Sequence, residues 1–286
     1  MRKKAYKIIT GIIILLLAFQ NIVLAQEANQ DSTNNTSDLP WDKFSFTFGG
    51  FLADLSSRAI IGSNRMGLGL SINLEDALGL DVSGLVIRSN AMYRFGNNNR
   101  HAARIEYFGF KRKATKILES DLEIGDIVIP IGSETTSIYN LQIIKANYDY
   151  SFLQDERINF GASFGLYIMP LTLKIESTTA ISENTHFVAP LPVIGLRSDF
   201  LLAPRLFMKQ SAEVLYLKIG DFKGTIMDVN INIEYNIWNH IGLGAGFNYY
   251  RLTLEADGGD DYPLFELEGY MELSYAGMLF YGRYYF

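Results

Sequence analysis

The chain contains no cysteine. That absence removes thiol catalysis, thiolate metal sites, disulfides and the lipidated cysteine of a bacterial lipoprotein. Histidine is scarce too, with three residues at 101, 186 and 240. No dense block of lysine and arginine occurs, and 25 basic against 31 acidic residues leave a net charge of -6, which argues against nucleic-acid binding. Beyond residue 25 no apolar run approaches the roughly 20 residues that a spanning helix needs. Yet 48% of the 286 residues are hydrophobic and they are evenly spread, so neither a disordered chain nor a stapled miniature fits.

Residues 1–25 have the three parts of a secretory signal peptide. Arg2, Lys3, Lys4 and Lys7 precede an apolar stretch over 8–19, and Val23-Leu24-Ala25 supplies small residues at a cleavage position. The segment 26–42, QEANQDSTNNTSDLPWD, is polar and is expected to be a flexible tether. From residue 43 to 286 the composition stays uniform, which predicts one domain.

Within that domain the recurring signal is alternation with period two. Over 229–237 one face carries Val229, Ile231, Ile233, Tyr235 and Ile237, and the other carries Asn230, Asn232, Glu234 and Asn236, with Asp228 just before. Over 158–168 Ile158, Phe160, Ala162, Phe164, Leu166 and Ile168 oppose Asn159, Gly161, Ser163, Gly165 and Tyr167. Small and amide-bearing residues on the polar face suit a crowded, curved interior. The fold class predicted is all-β, a transmembrane antiparallel up-and-down barrel with its apolar face outward. Ten strands are expected, at 44–57, 84–96, 100–115, 134–152, 157–173, 190–200, 204–218, 222–237, 240–256 and 264–286; eight or twelve also fit the pattern. The stretch 67–80 alternates but spoils the up-down parity, and is assigned to a long first outer loop.

Short connections at 96–100, 153–156, 202–205 and 238–240 are expected on the periplasmic side, with long loops at 58–83, 116–133, 174–189 and 257–263 outside. Tyr93, Phe95, Tyr148, Tyr150, Phe152, Phe200, Tyr235, Tyr284 and Phe286 would then form an interfacial girdle near the short turns.

Strand parity directs Arg88, Arg94, Arg104, Arg112, Lys145, Arg197, Lys209 and Arg283 into the lumen against Glu106, Asp149, Asp199, Glu213, Asp228 and Glu234. Near-balance of sign predicts mutual pairing and a narrow lumen that is closed or slightly leaky, with a structural role or passage of small solutes. An outer-membrane enzyme is the alternative: a lipid hydrolase using Ser182, Glu183 and His186, or an aspartyl-type protease using Asp260, Asp261 and His186. Glu119, Asp121, Glu123 and Asp126 cluster in one loop without the spacing of a calcium motif, so no metal and no cofactor are expected.

The final segment GMLFYGRYYF sets Met278, Phe280, Gly282, Tyr284 and Phe286 on one face. It resembles the C-terminal assembly signal of Gram-negative outer-membrane barrels, carried by Phe280, Tyr284 and Phe286. SINLEDALGLD at 71–81 and YRFGNNNRHAARIEYFGFKR at 93–112 are similar to segments of uncharacterised outer-membrane β-barrel proteins. That resemblance implies location in the outer membrane, contact with its lipid and lipopolysaccharide, and insertion by the barrel-assembly machinery. It supplies no catalytic residue.

Overall fold

The computed structural model describes residues 40–61, 70–96, 98–124, 127–177, 183–220, 222–257 and 268–286. In chain order these form β1 Phe44–Ile61, β2 Leu70–Asn73, α1 Leu74–Leu78, β3 Ser83–Phe95, β4 His101–Ile117, β5 Leu122–Ile124, β6 Ile127–Ile129, β7 Glu134–Gln154, β8 Ile158–Ser177, β9 Glu183–Ala203, β10 Leu206–Ile219, β11 Phe222–Trp238, β12 Ile241–Asp257 and β13 Glu268–Tyr285. The leader at 1–25 and the tether as far as residue 39 lie outside the described residues.

Ten long strands follow one another around an antiparallel sheet in the order β13-β12-β11-β10-β9-β8-β7-β4-β3-β1, and β13 pairs back onto β1. The closing seam runs from Ser45 opposite Tyr285 to Ile61 opposite Gly269. Closure gives every barrel strand a partner on both flanks, which removes the exposed edge that an open sheet presents. Both ends of the described chain lie with the tight turns, at what is termed here the turn end. Two of these turns contain just two residues, Pro204-Arg205 and Asn239-His240, with Arg205 at φ 71° and His240 at φ 73°.

At the opposite, loop end the structure departs from the expected strand limits. β8 continues to Ser177 and β9 begins at Glu183, so most of the expected loop at 174–189 is ladder, with Ile175 opposite Glu183 and Thr172 opposite His186. The β-branched residues Thr172, Ile175, Thr185 and Val188 favour this extension. The stretch 67–80 is not a uniform loop: Leu70–Asn73 pairs with the loop end of β1. The alternation then breaks because Asn73 caps α1, accepting from the Glu75 backbone N–H at 3.1 Å, and Gly79 ends it at φ 69°.

The two faces exchange chemistry along the strands. On β8 the exterior carries Phe160, Ala162, Phe164, Leu166 and Ile168 and then Thr172, Lys174 and Glu176, while the interior passes from Asn159, Gly161 and Ser163 to Tyr167, Met169 and Leu171. β4 switches likewise, from exterior Ile105 and Tyr107 to Lys111 and Lys113, as its interior passes from Arg104 and Glu106 to Phe108 and Phe110. On β12, Arg251, Thr253 and Glu255 lie outside while Tyr250, Leu252 and Leu254 are buried. Strand register places these switches at one level: Gly109 lies opposite Gln142, and Ile144 opposite Ile168. An interior that is hydrophilic throughout is therefore incorrect. The turn-end half is polar inside and apolar outside, whereas the loop-end half has an apolar core and a polar exterior.

The tight bore uses glycine where an aromatic ring must lie flat. Tyr281 on β13 stands between Gly49 of β1 and Gly244 of β12, and a Cβ on Gly244 would come within 2.1 Å of its ring. Replacement Gly244→Val should cost about 2 kcal/mol through overpacking, read as a lower denaturation midpoint in detergent micelles.

Candidate functional site

The bore's central feature is Lys145, contributed by β7 and buried. Its ammonium lies 3.0 Å from Glu106 on the adjacent strand β4, and it crosses the bore to Glu213 at 3.5 Å and to Asp228 in direct contact. Glu213 and Asp228 face each other across β10 and β11, an unfavourable like-charge pair unless a cation stands between them. Tyr167 donates its hydroxyl to Glu213 and lies 3.3 Å from Asp228. Asn147 donates to Glu213 at 2.6 Å, and Asn230 and Asn248 donate to Asp228 at 3.1 and 2.8 Å. Arg88 pairs with Glu106 at 2.7 Å, and Arg104 bridges Glu213 at 2.7 Å and Asp149 at 3.2 Å. Buried ions in such a setting are tolerated because each is both paired and hydrogen-bonded.

An aromatic tier sits directly against this network. Tyr250 and Tyr275 stack at 5.1 Å, Phe108 meets both edge-on at 5.7 Å, and Phe51 packs on Tyr275 at 5.0 Å. The Lys145 ammonium lies 5.4 Å from the Phe108 ring and 4.6 Å from that of Tyr167. Phe108, Tyr250 and Asp228 are all 0% exposed, so the aromatic tier and the carboxylate at the network's centre are closed to solvent.

Below the network, toward the turn end, lies a chamber of about 140 Å³. Arg94, Arg197, Asp199, Lys209, Glu234 and Arg283 line it together with Trp41 and Asp42. Lys209 lies 2.9 Å from Glu234, and Arg283 contacts both Glu234 and Asp42. The flexible tether expected up to residue 42 is corrected here at its last residues. Trp41 is buried, donates its indole N–H to the Asp155 carbonyl at 2.7 Å and meets Phe207 edge-on at 6.2 Å, so the segment lies across the turn-end mouth.

At the loop end Arg112 serves another purpose. It binds Glu75 of α1 at 2.6 Å, Ser57 Oγ at 2.6 Å and the Asp81 carbonyl at 3.1 Å. Glu75 in turn accepts from the Ser57 backbone N–H at 3.0 Å, where β1 has no strand partner between its β3 and β2 pairings. A carboxylate thus stands in for a missing ladder bond.

All fourteen lumen charges named from the sequence point inward, but in three groups: the Lys145 network, the turn-end chamber and the Arg112 clamp. Of the expected girdle, Phe200 departs: it lies on the exterior by parity yet is buried beside Ile158, Met208 and Phe160. Phe280, Tyr284 and Phe286 are exposed on the exterior face. His186 lies in β9 rather than in a loop, and Ser182, Asp260 and Asp261 lie outside the described residues, so no hydrolase or protease group is assembled among those described. Of the loop carboxylates, Asp121 accepts from the Ile131 N–H at 2.7 Å and Glu119 lies 3.9 Å from Lys116; Asp126 lies outside the described residues. Among the described residues no three His, Asp or Glu converge as a metal site. Trp41, Asp42 and Glu75 were not legible as site residues, the first two because they sit in polar sequence.

No protein-family model and no curated protein matches the chain. Among solved structures it is similar to the outer membrane protease OmpT of Escherichia coli, at 10% identity over 88% of this chain and 100% of that one, TM-score 0.49. It is also similar to Ail, the attachment invasion locus protein of Yersinia pestis, at 11% identity over 82% of this chain and 99% of that one, TM-score 0.34. The Pseudomonas putida toluene transporter TodX matches at 9% identity over 86% of this chain and 90% of that one, TM-score 0.32.

The Lys145 network makes a sharp energetic prediction. Lys145→Met should destabilise the barrel by about 3–5 kcal/mol, because Asp228 then loses its one direct ion-pair partner among the described residues. Adding Asp228→Asn should restore a large part of that loss, whereas Asp228→Asn and a distant control change should simply add. Denaturant midpoints of the two singles and the double in detergent check this.

Proposed function

We propose that the mature chain is an integral outer-membrane β-barrel that acts as a closed structural element of the Gram-negative envelope and passes no solute. The observation that carries this reading is an exterior apolar belt combined with a bore sealed at two levels. On β8 the belt runs over residues 160–168, nine residues, matching the ~9–11 that a tilted strand needs to cross a bilayer. Tyr93, Tyr148, Tyr150, Tyr235 and Tyr284 are exposed at its turn-end margin, where amphipathic rings suit a membrane interface. Beyond the belt the exterior turns to Lys111, Lys113, Lys174 and Glu255, all of which suit water, and the lysines also suit anionic lipopolysaccharide headgroups. The same reading has the leader removed on export and the last strand, with Phe280, Tyr284 and Phe286, recognised by the barrel-assembly machinery.

Closure of the bore is supported by energetics. Opening a path past Lys145 would separate buried charges from their partners, and the aromatic tier would still block the way. In planar bilayers the purified mature protein should therefore show no discrete conductance steps. The variant Trp41→Ala/Asp42→Ala, with its turn-end mouth cleared, should stay equally silent. Ion-selective steps of nanosiemens size from either protein would contradict a sealed bore.

A further inference from the structure

In the turn-end chamber, positive charge is under-compensated at one place. Arg94 on β3 and Arg197 on β9 both lie 3.6 Å from the same oxygen, Asp199 Oδ2. That separation exceeds a hydrogen bond, and the oxygen already accepts from Asn159 at 3.1 Å. Arg94 is 2% exposed, yet its Nε and Nη1 have no hydrogen-bond partner among the described residues. The Nε and Nη2 of Arg197 are likewise unpartnered, and its Nη1 reaches just the thioether of Met92 at 3.2 Å, a weak acceptor. Two guanidinium groups thus share one carboxylate, while elsewhere in the bore Arg88 and Glu106 pair at 2.7 Å. Unpaired buried donors of this kind are rare and costly, and when found they mark a missing partner.

We infer that the chamber binds a small oxyanion of the phosphate or sulfate class between Arg94 and Arg197. Guanidinium forks match the geometry of such anions, and a tetrahedral oxyanion offers several acceptor oxygens to two forks at once. The chamber's 140 Å³ corresponds to about five waters at ~30 Å³ each, room enough for the ion and part of its hydration shell. The chamber is internal, so the ligand is the free ion and not the phosphate of a membrane lipid headgroup.

The chain supplies its own reporter. It has two tryptophans, of which Trp41 lines the chamber and Trp238 is exposed on the exterior. In a Trp238→Phe background, refolded into dodecyl maltoside micelles, inorganic phosphate and sulfate should each change Trp41 emission saturably. They should also raise the melting temperature by about 5 °C at a hundredfold excess over Kd. Chloride at equal ionic strength, and phosphatidylglycerol added to the micelles, should do neither. Arg94→Met should melt no lower than its parent without anion, since Arg197 and Asp199 then balance one to one, and it should lose the anion response. Arg197→Met carries the same test should Arg94→Met fail to fold. A parent protein with no saturable response, a response to phosphatidylglycerol alone, or a variant that keeps the full response would overturn the inference.

Discussion

A backbone amide removed from water must find its partner in the protein, and the seam between β1 and β13 lets this wall meet that demand all the way round. Everything else follows from closure. Once the sheet is a cylinder, each residue has a fixed side, and a row of side chains from ten strands must fit within one narrow bore. Where the ladder fails, between the β3 and β2 pairings of β1, the carboxylate of Glu75 takes its place and Arg112 holds that carboxylate. The repair shows how strictly the requirement is kept.

Closure also explains why the bore is organised in tiers. The turn-end half, wrapped by apolar side chains on the outside, has no apolar material left for the inside under a strict alternation, so it fills with charges that cancel. Lys145 ties β4 to β10 and β11 across the cylinder and thereby makes the network a cross-brace as well as a filler. The loop-end half reverses the arrangement, with Leu252, Leu254 and Leu273 inside and Arg251 and Glu272 paired outside at 2.7 Å. In the proposed outer-membrane setting, the level at which the two halves meet marks the change from lipid to water.

Much of the wall was readable from the sequence because a two-residue period survives any tertiary context: the strands 229–237 and 158–168 separate their faces on inspection. The fourteen inward charges followed from the same parity. Parity does not say which face is buried in which medium, and so the apolar upper core was missed, although Lys111, Lys113, Arg251 and Glu255 on the supposedly lipid-facing side carried the signal. Trp41 and Glu75 were hidden for another reason. Each acts through contacts distant in sequence, Trp41 with Asp155 and Phe207 and Glu75 with Ser57 and Arg112, and nothing local distinguishes it from a solvated neighbour.

In the proposed outer-membrane setting, one continuous exterior face passes from lipid to water along the same strand. Because the chain has no cysteine, single cysteines can be placed on β8 at positions 164, 166, 168, 172, 174 and 176 and spin-labelled in bilayers. Labels at 164, 166 and 168 should collide freely with dissolved oxygen and poorly with a polar nickel chelate, and those at 172, 174 and 176 should show the reverse. Equal chelate accessibility at all six positions would contradict the account.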